Sequence, residues 1–243
     1  MIAPLGTLPL AAAGITAAVL IILISALWGL VTVVGVQIAT ADGAGHPAEV
    51  SAITRNGLAL ALLGGGTGAA LMTAVLPLLG PIGQPQEVIG IVGPYWVAMA
   101  VWIIPFTMFF VLKGLFDATG RAWVGVALSY MGVLINVPAN YTFIHILDLG
   151  ILGAGLASIL SQSIALIAAL IYWRMARAIA PYRAPATVTR ARVMGQAREG
   201  LPLCIGYAGE GGAYAFIGIM IGWLGATPLA AHQVAHAIAG LAY

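Results

Sequence analysis

The chain has 243 residues, of which 62% are hydrophobic and only 7% charged, and its mean hydropathy is +1.06. This excludes a soluble globular domain and makes lipid the solvent. The net charge of +2 does not point to nucleic acid, because the basic residues sit in gaps between apolar stretches and no basic face interleaves with stacking aromatics.

A membrane span needs about 20 mainly apolar residues to cross roughly 30 Å of hydrocarbon. The sequence predicts spans near 10 to 38, 57 to 79, 88 to 112, 122 to 146, 150 to 173 and 201 to 224, with a seventh starting near 229 and running to Tyr243. The first span reads as a true crossing: its flank has no basic n-region, and the uncharged stretch is too long for a signal peptide. The basic residues then alternate. Arg55 lies in the first gap, Lys113 and Arg121 in the third, and Arg174, Arg177, Arg183, Arg190, Arg192 and Arg198 in the long fifth. The gaps near 80 to 88, 146 to 150 and 225 to 228 hold none. Short loops rich in Lys and Arg stay cytoplasmic, so the first span should run inward, with the loops of Arg55, Arg121 and Arg183 on the cytoplasmic side of a bacterial inner membrane.

In the second span, Gly64-Gly65-Gly66-Thr67-Gly68 should let helices approach closely. The third is crowded with Trp96, Met99, Trp102, Phe106, Met108, Phe109 and Phe110. Such side chains could bind apolar cations, but lipid-facing filler or an interfacial belt is the preferred expectation. The fourth holds Asn136-Val-Pro-Ala-Asn140-Tyr141, whose two asparagines share a helix face. The fifth adds Ser158, Ser161 and Gln162 at helical spacing. These polar groups could line a hydrated cavity or bond helix to helix, and the sequence leaves both open.

Glu210 is the only charged residue deep in a span, eight residues after Pro202 and so about 12 Å along a helix. Placing a carboxylate there costs on the order of 3 kcal/mol, so it should face the bundle interior, a water-filled cavity or a cation. Tyr207 and Tyr214 lie on its face. Its alternative role is a structural carboxyl bonded to a neighbouring helix. Cys204, the only cysteine, excludes an internal disulfide and reads as apolar filler. His232-Gln-Val-Ala-His236 resembles the H-E-x-x-H metalloprotease motif but lacks its glutamate base, so no protease and no other enzyme is expected.

Gly6-Thr-Leu-Pro-Leu-Ala-Ala-Ala-Gly-Ile15 aligns without gaps on Gly225-Ala-Thr-Pro-Leu-Ala-Ala-His-Gln-Val234, sharing Gly, Pro, Leu and two Ala. A duplicated six-helix unit would explain the repeat. The expected division is an N-terminal bundle lacking its first helix at 1–175, a basic inter-bundle loop at 176–198 and the start of a C-terminal bundle at 199–243.

In order along the chain, the opening pattern Gly6 to Gly14, Gln84-Pro-Gln-Glu-Val88, Leu112-Lys-Gly-Leu-Phe-Asp-Ala-Thr-Gly-Arg121, Asn136-Val-Pro-Ala-Asn140-Tyr141, Leu152-Gly-Ala-Gly-Leu-Ala157, Gly200-Leu-Pro202 with Glu210, and Leu229-Ala-Ala-His-Gln233 resemble the multidrug and toxic compound extrusion (MATE) family of antiporters, NorM-like in type. The resemblance implies an all-α polytopic fold of twelve helices in two bundles around a central cavity, of which about helices two to seven and part of eight are present. It implies a cation-linked site at Glu210, which would bind Na+ or H+, and a polar site in the N-terminal bundle at Asn136 and Asn140, with Ser158 a further match. Tyr141, Tyr207, Tyr214 and Gln233 complete the expected cavity set.

The implied activity is efflux of drugs or organic cations by alternating access, driven by inward Na+ or H+ flow. No cofactor is expected beyond the coupling ion, and the protein is expected to work as a monomer in the bilayer. The alternatives are a lipid-linked precursor flippase of the same superfamily and a non-transporting membrane fragment. The first would require basic residues in the cavity, and none lies within these spans. The 243-residue chain alone is expected not to transport.

Overall fold

The computed structural model describes residues 5–81 and 86–223, with side chains as far as residue 213. Among these residues the secondary structure is helical: α1 (Thr7–Gly43), α2 (Pro47–Val75), α3 (Gln86–Ala118), α4 (Ala122–Tyr141), α5 (Gly150–Met175) and α6 (Arg190–Trp223). Among the described residues, five helical stretches are long and apolar enough to cross a membrane: Thr7–Gly43, Pro47–Leu78, Gln86–Ala118, Ala122–Ile146 and Gly150–Met175. Each matches a predicted span. The sixth predicted span falls on α6, whose side chains are described only as far as residue 213. The seventh predicted span lies outside the described residues.

The helices overrun the apolar stretches. α2 begins at Pro47 rather than near 57, and its first turns bury Ser51, Thr54 and Asn56 completely. These polar residues are covered by the chain that follows α5: Ser51 Oγ donates to the Ala184 carbonyl at 2.7 Å, and Asn56 Oδ1 accepts from the Thr189 amide at 2.9 Å. Residues 190–198, expected as loop, form the first turns of α6. The corners between α1 and α2 and between α3 and α4 close alike. His46 N–H reaches the Ala41 carbonyl and Arg121 N–H the Phe116 carbonyl, each across a glycine, Gly45 or Gly120, with φ near +75°, as a Schellman motif requires.

α3 is the central element, in contact with α1, α2, α4 and α5. One core lies around Ile38, Leu112, Leu115, Phe116 and Ile179, near the basic loops, and a second around Met72, Val92, Trp96 and Ile103 towards the other end. The preferred expectation for the aromatic third span is therefore corrected. Trp96 is fully buried and donates Nε1–H to the Met72 carbonyl at 2.7 Å; Phe109 and Met99 are also buried. A helix surrounded by four others has little surface left for lipid. The glycine run does bring helices together: a Cβ on Gly65 would lie 3.1 Å from Ile104 Cα, and one on Gly68 2.9 Å from Leu27 Cδ1.

The segment after α5 is bonded to the bundle along its length. Trp173 Nε1 donates to the Tyr182 carbonyl, Arg183 donates to the Trp173 and Ala176 carbonyls, and Arg121 donates to the Ala178 carbonyl. Tyr182 Oη donates to Asp42 Oδ1 at 2.5 Å. The Asp42 acceptor raises the Tyr182 pKa above its ordinary 10.0, with burial and the carboxylate charge acting in the same direction and Arg121 opposing. A raised phenol pKa stabilises the fold below the unfolded value, and this contribution is lost as pH climbs through the folded value. Proteolytic cleavage of residues 176–189 should therefore accelerate above pH 10.0 in the wild type. Tyr182→Phe should be cleaved faster at neutral pH and respond less to alkali; identical profiles would show that the Asp42 contact does not hold the segment.

Candidate functional site

α3, α4 and α5 enclose a cavity of about 360 Å³. Its polar side is built on one turn of α4 facing one turn of α5. Asn136 Nδ2 donates to Ser161 Oγ at 3.1 Å, and Asn140 Nδ2 donates to Asn136 Oδ1 at 2.8 Å. Ser161 Oγ donates to the Ser158 carbonyl at 3.1 Å. Asn136, Ser158, Ser161 and Gln162 all line the cavity. Asn136 thus bonds α4 to α5 and also lines the cavity.

The opposite wall is aromatic. Trp102 and Phe106 have ring centroids 4.5 Å apart, Phe106 and Phe110 4.7 Å, and all three line the cavity. Aromatic faces attract a cation through the ring quadrupole, while the amide and hydroxyl oxygens can accept its hydrogen bonds. Among the described residues no titratable side chain contributes to this lining. Asn136→Leu should destabilise the bundle by about 1–2 kcal/mol, since it removes the α4–α5 bond and leaves Asn140 without its side-chain acceptor. Thermal unfolding in detergent measures this, and an unchanged midpoint would mean that the bond contributes nothing net.

The other expected residues fall elsewhere. Asn140 is buried beside Asn136, but Tyr141 is exposed and its ring stands 5.5 Å from that of His145, away from the cavity lining. Tyr207 on α6 stacks on Trp28 of α1 at 6.4 Å. Glu210 is exposed, and among the described residues it has no hydrogen-bond partner. At the same level Gly211 lies close to α1, where an added Cβ would be 3.1 Å from Ser25 Oγ. The side chain of Tyr214, together with Gln233, His232 and His236, lies outside the described residues. The structure thus gathers the α4 and α5 residues into one site and leaves Glu210 on a different helix, outside that cavity's lining.

A second polar group went unread in the sequence. Gln37 of α1, Glu49 of α2, and Arg192, Gln196 and Glu199 of α6 meet where the α1–α2 corner faces the start of α6. The available signal was Gln37, the single carboxamide in the first 41 residues, which an apolar span has no reason to hold without a partner.

A family model described as MatE matches residues 1–142, more than half of the chain. The chain belongs to the MatE family. Among its MatE relatives, a probable multidrug resistance protein NorM of Pseudomonas aeruginosa is 32% identical over 246 residues, covering 97% of this chain and 50% of the relative. A protein of the same description from Synechococcus is 29% identical over 240 residues, covering 96% and 52%. The chain spans about half the length of the curated relatives it matches. The fold agrees with solved MATE transporters. An outward-facing multidrug resistance MATE family transporter superposes with a TM-score of 0.82 at 21% identity, over 99% of this chain and 54% of the other. A MATE P26A mutant superposes at 0.86 with 22% identity, over 99% and 55%.

Proposed function

We propose that the chain forms part of a cation-coupled exporter of drugs or organic cations that works by alternating access. The observation that carries the reading is the α3–α5 cavity, with an aromatic wall and an amide–hydroxyl floor, in a chain of the MatE family. Residues 1–175 form the N-terminal bundle that holds this cavity, 176–198 the inter-bundle connection and 199–243 the start of the C-terminal bundle. Asn136 and Ser158 contact the substrate, and Asn140 holds Asn136 in place. Glu210 is the coupling group on α6, where binding of Na+ or H+ favours one cavity orientation and substrate the other.

The protein lies in the inner membrane with the loops of Arg55, Arg121 and Arg183 cytoplasmic and functions as a monomer. No basic residue lines the cavity, which disfavours a lipid-linked diphosphate as cargo. The test is efflux of a fluorescent organic cation from cells deprived of their own exporters and expressing the full-length protein. Efflux that stops when Na+ and H+ gradients are collapsed supports the reading; efflux indifferent to both gradients, or none in well-expressing cells, overturns it.

A further inference from the structure

Among the described residues, five polar side chains line the α3–α5 cavity: Ser129 and Asn136 of α4, and Ser158, Ser161 and Gln162 of α5. Four of them are engaged within the protein. Ser129 Oγ donates to the Gly125 carbonyl and Ser158 Oγ to the Ala154 carbonyl, each at 2.9 Å. Ser161 Oγ gives its hydrogen to the Ser158 carbonyl and accepts from Asn136 Nδ2, while Asn136 Oδ1 accepts from Asn140 Nδ2. A hydroxyl whose hydrogen is spent in this way offers a ligand lone pairs alone, and Asn136 has one N–H left.

Gln162 is different. It is half-buried in the lining, and among the described residues its amide has no hydrogen-bond partner. Unlike Gln196 Oε1, which is sealed from any probe, the Gln162 amide stays accessible from the cavity. It lies twelve residues after Gly150 in a span of 26 residues, about 18 Å along the helix and so near the middle of the membrane. The common task of an amide at that depth is to bond one helix to another. Gln162 makes no such bond, so its two donors and its acceptor are left for what enters the cavity.

A bare cation needs ring faces and acceptors, and the wall of Trp102, Phe106 and Phe110 together with the serine oxygens supplies both. The N–H groups of Gln162 serve neither need. When cargo displaces their water, an apolar neighbour leaves them unpaired, whereas an acceptor on the cargo takes the place of the water. That difference separates molecules alike in charge and shape. We propose that Gln162 is the specificity-determining residue of this cavity and that its cargo is a flat aromatic cation bearing a carbonyl acceptor, in the ring or as a carboxamide. The cationic ring lies along Trp102, Phe106 and Phe110, and the carbonyl oxygen accepts from the Gln162 amide. The proposal rests on the export reading above and adds to it a feature of the cargo other than its charge. A volume of about 360 Å³ falls within the range of small-molecule sites.

The test is equilibrium dialysis of the full-length protein in lipid nanodiscs with N-benzylpyridinium and its meta-carbamoyl derivative, permanent aromatic cations that differ by one carboxamide. The carbamoyl probe should bind at least about tenfold more tightly. Gln162→Met, similar in length but without donors, should bring the two affinities to within about twofold by weakening the carbamoyl probe and not the other. A merely structural role would instead lower both together. Gln162→Ala removes the same donors and keeps the proposal testable where Gln162→Met fails to fold as judged by gel filtration. Equal binding of the two probes by the wild type, binding of neither, a preference that survives in a folded variant, or a parallel loss of both probes would each overturn the proposal. Gradient-driven efflux without the carbamoyl preference would count against the role of Gln162 alone, and a Gln162-dependent preference without gradient-driven efflux against the export reading alone.

Discussion

Gly200→Ala is expected to separate α6 from α1 and to destabilise the protein by on the order of 3 kcal/mol. An added Cβ at Gly200 would lie 2.4 Å from the Leu30 carbonyl oxygen, and one at Gly29 2.5 Å from the Leu203 carbonyl oxygen. In both cases the obstructing atom belongs to the backbone of the opposite helix, so no rotamer change relieves the contact and the helices must move apart. The two positions form a reciprocal crossing, each glycine set against the other helix. Gly29→Ala should therefore cost about as much, and the double substitution should cost less than the sum, because helices already forced apart have room for the second methyl. Thermal unfolding monitored by gel filtration in detergent measures all three. Strict additivity, or a parental midpoint in either single variant, would show that α1 and α6 do not cross at these glycines.

Glu210→Gln is expected to uncouple efflux from the ion gradient in the full-length protein while expression is preserved. Glutamine keeps the shape and hydrogen-bonding capacity of the side chain but can neither accept a proton at neutral pH nor offer a charge to Na+. If the ion distinguishes the two cavity orientations through this group alone, its removal erases the difference in affinity, which for coupled sites commonly amounts to about 5- to 150-fold. Gradient-driven efflux should fall by that order, whereas equilibrium binding of the organic cation should persist. Undiminished gradient-driven transport would remove Glu210 from the mechanism.

Apolarity alone made the spans legible, because a chain in lipid must satisfy its backbone within helices and each crossing needs a long apolar run. The helix ends were not legible in the same way. Residues 47–56 and 190–198 read as polar gaps, yet both are helical, because Ser51, Asn56 and Gln196 find partners far along the chain, at Ala184, Thr189 and Gln37. Composition cannot report a bond between residues well over a hundred positions apart. The polar wall of the α3–α5 cavity was legible for the opposite reason: Asn136 and Asn140, four apart, share a helix face, and Ser158 and Ser161, three apart, share one on the next helix. The aromatic wall was misread. Trp102, Phe106 and Phe110 have the same composition whether a helix faces lipid or protein, and only the central position of α3, in contact with four other helices, decides between them.

The stretch joining α5 to α6 has a mechanical consequence. Its turns are tied to Asp42, Trp173 and Arg121, Ala184 is tied to Ser51, and Thr189 is moored on Asn56. Four residues, Pro185 to Val188, lie between the Ala184 and Thr189 moorings, a leash of five Cα steps or roughly 17 Å at full stretch. Whatever α6 carries cannot drift away from the body that anchors it, nor lend itself to a neighbouring molecule, without first unfastening that row of ties.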